Sequence, residues 1–183
     1  MTFERDEFED SSYFETPRPR ASHGFDARLL REPLTVLPTQ RPLTLTPEDT
    51  VTDAMRAMQR EHRGCVLVTD DGSARSKLTG IFTERDVLFR IVDRGRNPAS
   101  LPLGEVMTPD PDTLSVHATV AHVLNRMSVG GFRHVPVVDD EHRPYCVISV
   151  SDVVTFLVDA FPREVLNLRA EVGEPTTRSR EGA

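Results

Sequence analysis

A hydroxyl, two residues and an aspartate occur twice at the same kind of junction in this chain. Thr83-Glu84-Arg85-Asp86 follows the apolar run Gly80-Ile81-Phe82, and Ser149-Val150-Ser151-Asp152 follows Cys146-Val147-Ile148. Each reads as a strand entering a helix, with the hydroxyl at the N-cap. The free N–H groups of a helix start, together with that hydroxyl, suit an anion such as phosphate. An aspartate one turn further in accepts hydrogen bonds from a pair of sugar hydroxyls. The same spacing also fits a plain capping box, in which the acid returns to the N-cap amide. Recurrence at one point of a duplicated unit, with basic residues upstream, favours the ligand reading.

The elements that must position these residues are themselves duplicated. Val51, Ala54, Met55 and Met58 repeat at helical spacing, and Val120, Val123, Leu124 and Met127 repeat it 69 residues on. Thr44-Leu45-Thr46-Pro47 aligns with Thr113-Leu114-Ser115-Val116 at the same offset, and Cys65-Val66-Leu67-Val68 with Val135-Pro136-Val137-Val138 at 70. Thr83 and Asp86 align with Ser149 and Asp152 at 66, because the turn at Asp70-Asp71-Gly72-Ser73 is longer than the one at Asp139-Asp140. The chain therefore predicts two β-α-β-β-α units, an α/β (α+β) architecture. One unit buries too little apolar surface to stand alone, so the two are expected to pack through their sheets with pseudo-twofold symmetry.

The expected boundaries are an acidic, Pro-rich arm without regular structure over 1–36, a first repeat over 37–95, a linker over 96–104 and a second repeat over 105–162. A helical turn and tail over 163–183 follow. Phe8, Tyr13 and Phe14 in the arm offer apolar side chains to a partner, against the plainer reading of a solvated tail. With 183 residues and a net charge of −7, the chain lacks the basic excess that nucleic acid or an acidic membrane attracts. No apolar run reaches the length of a membrane span, and the N-terminus is acidic, unlike a secretory signal, so a soluble cytoplasmic protein is expected. Cys65 and Cys146 lie in apolar runs and read as buried free thiols. The methionines fall on core faces. The six histidines are scattered without metal-ligand spacing, so no metal is expected. There is no P-loop, dinucleotide-binding turn or nucleophile elbow, and no catalysis is expected.

Three stretches together resemble the tandem cystathionine β-synthase (CBS) domain pair, or Bateman module: Gly80-Ile-Phe-Thr-Glu-Arg-Asp86, Val106-Met-Thr-Pro109 and Arg133-His-Val-Pro-Val-Val138. The resemblance covers about residues 37–162. It implies two pseudo-symmetric clefts between the repeats that bind AMP, ADP, ATP or S-adenosylmethionine as a regulatory ligand, with no required cofactor. It places the sugar aspartate at Asp86 in one cleft and Asp152 in the other. The phosphate-side hydroxyls become Thr83 and Ser149, with Ser151 beside it. The basic pair becomes Arg133 and His134 and, less closely matched, Arg63. Thr46 and Val51 are then expected to complete the Asp152 cleft, and Ser115 and Val120 the Asp86 cleft, the valines sandwiching adenine. Cys146 replaces Gly80 in the second repeat and should tighten the approach to Ser149. Gly64 replaces His134 in the first, leaving the Asp86 cleft poorer in basic groups unless Arg85 compensates; Asp152 is therefore expected to mark the better phosphate site. The resemblance further implies a disc-shaped homodimer and an effector protein on another chain. The rival expectation is a constitutive dimerisation or scaffold module with vestigial clefts.

Overall fold

The computed structural model describes residues 27–161. The first repeat comprises β1 (Thr44–Leu45), α1 (Val51–Glu61), β2 (Cys65–Thr69), β3 (Leu78–Thr83) and α2, which begins over Glu84–Asp86 and continues as a π-helix over Val87–Val92. A short strand β4 (Thr108–Pro109) leads into the second repeat, made of β5 (Leu114–Ser115), α3 (Val120–Gly130), β6 (His134–Val138), β7 (Pro144–Ser149) and α4 (Val150–Ala160). The sheets run β1-β2-β3-β4 and β5-β6-β7, parallel at the first pair of each and antiparallel after it. This is the mixed α+β architecture with two small sheets that the duplicated pattern predicts.

The duplication extends to backbone detail. The antiparallel register shifts at Val68/Thr69 and again at Val137/Val138. Helix α1 ends on a left-handed His62 (φ 52°) and α3 on a left-handed Gly131 (φ 67°), the conformation that closes a helix by freeing its last carbonyls for capping. Strand β2 is buried along its whole length, which is why it reads as an uninterrupted apolar run. Val66 and Val68 face α1 in the first core. Cys65 and Leu67 face the other repeat and, with Leu78 and Ile81 of β3, meet its Val138 and Val147. The two sheets therefore pack on one another through this shared apolar layer.

Each core is completed by chain that precedes the other repeat. Leu34 and Leu37 are buried in the second repeat's core, and Leu101, Leu103 and Val106 in the first's. The backbone contacts are reciprocal at the 69-residue offset. Leu34 N–H donates to the Ala118 carbonyl (3.0 Å) and Leu103 N–H to the Asp49 carbonyl (2.8 Å). Val120 N–H donates to Glu32 (3.0 Å) and Val51 N–H to Leu101 (2.9 Å). Burying a Leu or Val side chain contributes about 1.5–3 kcal/mol, so these lead-in segments belong to the cores.

Two expected boundaries are corrected by this exchange. Residues 27–36, placed in an unstructured arm, form 3-10 turns at Ala27–Arg31 and Leu34–Val36, and Leu34 is fully buried. The expected linker over 96–104 contains Leu101 and Leu103, both core residues. Neither segment carries a periodic pattern, because each supplies only isolated apolar side chains between prolines. Phe8, Tyr13, Phe14 and the segment 163–183 lie outside the described residues. Leu34→Ala should cost about 2–5 kcal/mol by the burial and cavity contributions, while Val36→Ala, at a residue 42% exposed, should stay within about 0.5 kcal/mol. Urea unfolding of the two variants reads the contrast; equal effects would contradict the docked lead-in.

Candidate functional site

Four helix starts are closed by the same device. Thr50 with Asp53, Thr83 with Asp86, Thr119 with His122 and Ser149 with Asp152 all form reciprocal capping boxes. At Asp86, Oδ2 accepts from Thr83 N–H (2.9 Å) and Oγ1–H (2.8 Å). At Asp152, Oδ2 accepts from Ser149 N–H and Oγ–H, both at 2.7 Å. The hydroxyl-x-x-acid spacing by itself is thus a helix start. What sets the second and fourth boxes apart is that they open into cavities between the repeats.

Three cavities adjoin one another there. A central one of about 630 Å³ lies between α1, the start of α2 and the β7–α4 junction. It is flanked by one of about 260 Å³ at Asp86 and one of about 280 Å³ at Asp152. Gly64 and His134 line all three. The His134 ring lies against the Gly64 backbone, and a Cβ on Gly64 would stand 2.6 Å from His134 Nε2. The glycine is therefore what admits the imidazole to the junction.

The Asp86 cavity gathers Thr83, Arg85 and Asp86 from the first repeat, with Arg133 and His134 from the second. The Asp152 cavity gathers Ser149, Ser151 and Asp152, with Arg63 from the first repeat and His134 from its own. Arg133, expected beside Asp152, lines the Asp86 cavity and the central one, where Ser149 and Ser151 also stand, and Arg63 lines the central and Asp152 cavities. Because residues 64 and 134 oppose each other at the interface, the arginine preceding each projects across into the other repeat's cleft. The expected shortage of basic groups at Asp86 is therefore not found.

Thr46, Val51, Ser115 and Val120 line none of the three cavities. Val51 and Val120 are the first residues of their helices and turn into their own repeat's core. Thr46 Oγ1 donates to Asp49 (2.9 Å), and Ser115 Oγ accepts from His117 N–H (3.2 Å). The crossing chain is the exchanged lead-in instead: Gln40, Arg41 and Leu43 reach the Asp152 cavity, and Thr108, Pro111 and Asp112 the Asp86 cavity. An isolated Gln40–Val147 bridge and the Thr108–Ile81 pairing hold these crossings to the opposite sheets. Sequence reasoning missed them, and also Phe132 and Arg90 at Asp86 and His62 at Asp152. Cys146, expected to narrow the Ser149 approach, is buried in the second core and lines none of the three cavities.

The two carboxylates differ in their surroundings. Asp86 Oδ1 is ion-paired with Arg90 Nε at 3.1 Å, whereas Asp152 has no ion pair among the described residues. Burial pushes both thiols up to about 12, so Cys65 meets the Asp152 cavity as a neutral apolar wall. Burial also holds the His134 imidazolium below its ordinary range, with Glu84 opposing that shift and Arg133 reinforcing it. Among the described residues no group of acids, histidines and cysteines is placed to hold a metal, and no helix is long and apolar enough to cross a membrane.

The CBS domain matches residues 34–93 and again 103–159. The mitochondrial CBS domain-containing protein CBSX3 of Arabidopsis thaliana is 32% identical over 132 residues, 71% of this chain and 63% of that relative, so this chain spans under two thirds of its length. Among solved structures, a CBS domain protein of Pyrobaculum aerophilum complexed with AMP superposes with a TM-score of 0.58 at 20% identity, covering 66% of this chain and 91% of that one. The CBS domain pair of protein MJ0100, in complex with 5-methylthioadenosine and S-adenosyl-L-methionine, gives 0.57 at 22%, covering 65% and 94%. At those identities the likeness is one of fold.

His134 makes folding respond to pH with a definite sign. Its folded-state pKa lies below the ordinary 6.5, so below that pH the unfolded chain takes up the proton first. Stability contributed by the neutral ring is full above 6.5 and falls with pH until the folded state also protonates. His134→Gln should flatten this part of the profile, read from urea unfolding between about pH 5 and about pH 7.5. An unchanged slope would show that the ring is not held neutral.

Proposed function

The chain belongs to the CBS domain family, and from that premise we propose that it is a regulatory module that binds an adenosine-containing ligand between its repeats and signals occupancy to a partner protein. The observation that carries this reading is the composition of the flanking cavities: a helix-start hydroxyl and aspartate from one repeat beside an arginine from the other. Arginine forks onto phosphate, the aspartate takes the sugar hydroxyls, and apolar residues such as Leu43 and Val147 face the flat base. Asp152 is the better placed carboxylate, since one oxygen caps the helix and the other has no ion-pair partner. AMP, ADP, ATP and S-adenosylmethionine are the ligand candidates. AMP and S-adenosylmethionine are bound by the two structural relatives described.

The module acts without catalysis, in the cytoplasm, as a homodimer. Exposed Leu88, Phe89 and Val92 on the π-helix and Val150 and Val154 on α4 give both second helices an apolar outer face for a second copy. A ligand changes the module's signal only by binding one arrangement of the repeats more tightly than another. Nucleic acid and membrane are not partners in this reading, in keeping with the −7 charge.

One observation favours a second reading. Capping boxes at Thr50 and Thr119 open into none of the three cavities, so those at Thr83 and Ser149 are also accounted for as helix starts of a constitutive scaffold. Calorimetric titration with the four ligands separates the two. Micromolar binding, weakened about tenfold or more in Asp152→Ala by loss of a charged acceptor, is expected. A flat titration with every ligand, in a folded dimer, would establish the scaffold.

A further inference from the structure

The second helices of both repeats open with a hydroxyl cap and an aspartate three residues on, and they part company at residue 90. Four residues after Asp86 stands Arg90; four residues after Asp152 stands Phe156, which packs against the second repeat's core. The guanidinium of Arg90 has three partners. Its Nε is ion-paired with Asp86 Oδ1 at 3.1 Å, Nη1 donates to the Val106 carbonyl, and Nη2 donates to Thr108 Oγ1 at 2.9 Å. Asp86 Oδ2 is meanwhile taken by the Thr83 amide and hydroxyl. Both oxygens of Asp86 therefore have partners within the protein, and its side chain is only 12% exposed.

We propose that Arg90 is a built-in occupant of the Asp86 cleft, so that each chain takes one adenosine ligand, at Asp152. This rests on the ligand-binding reading above and adds which aspartate is already taken and by what. Arginine has donors and no acceptor, so sugar hydroxyls arriving at Asp86 Oδ1 meet donors where they need an acceptor. Asp86 alone would release the guanidinium easily, since a partly exposed ion pair holds weakly. Two of the three partners, however, belong to the exchanged lead-in, a backbone carbonyl and a hydroxyl that no sugar replaces. Withdrawing Arg90 would strand the Val106 carbonyl beside a core residue. In the second repeat the helix offers Phe156, which cannot pair with Asp152, and that cleft stays open.

The test is calorimetric titration of the full chain with AMP, comparing wild type, Arg90→Met, Asp86→Asn, Asp152→Asn and the double variant Arg90→Met/Asp86→Asn. One site per chain in the wild type, abolished by Asp152→Asn, is expected. Arg90→Met should raise this to two, and the added site should vanish in the double variant. A single site in both wild type and Arg90→Met would overturn the proposal and leave the ligand-binding reading standing, as would two sites in the wild type. No AMP binding by either, with the other three ligands equally silent, would remove both. Should Arg90→Met fail to fold, Asp86→Asn decides alone. It should leave AMP affinity within about twofold of wild type, and a loss of about tenfold or more would overturn the closed cleft.

Discussion

The structure depends on a reciprocal exchange of short lead-in segments. Leu34 and Leu37 close the core of the repeat that follows much later in the chain, and Leu103 and Val106 close the core of the one already passed. The paired backbone contacts at Ala118 and Asp49 fix both crossings at equivalent points. The clefts exist because of these crossings, since the same segments continue past the sheet edges to form one wall of each flanking cavity. A change that loosens a lead-in therefore acts on a core and a cleft together.

Symmetry built this way is approximate, and the departures lie where the repeats meet. Gly64 opposes His134, so a single imidazole fills the junction from one side and touches every cavity. The first repeat's second helix widens into a π-helix while its counterpart remains a regular α-helix. Such widening recurs at functional positions in helices generally. On this helix Arg90 reaches the Val106 carbonyl, and Leu88, Phe89 and Val92 are exposed.

Much of the fold was legible in the residues. The 69-residue offset, the apolar faces of α1 and α3 and the buried run of β2 each follow from local patterning, which packing then reinforces. The lead-ins were not legible as such. Leu34 stands alone after Pro33, and its meaning appears only when it is set against Leu103 after Pro102. Of the site, the hydroxyl–aspartate pairs could be read, but not the cleft each arginine enters. Arg63 and Arg133 cross the pseudo-twofold, and crossing is a property of the assembled interface. Val51 and Val120 were misplaced for a related reason: a helix's first residue points wherever its cap turns it, and Thr50 and Thr119 turn them inward.

The exchange also bears on how the chain is made. During synthesis the first repeat has its full set of core residues once Met107 has emerged, since among the described residues nothing beyond that position packs in its core. Leu34 and Leu37, among the earliest residues described, must wait until α3, β6 and β7 have been translated before they find their places. Such long-range closure slows folding relative to local contacts and leaves apolar side chains unsheltered in the interval. Nascent chains that have emerged beyond residue 107 but not yet to 153 would thus carry one finished core and one pair of waiting leucines.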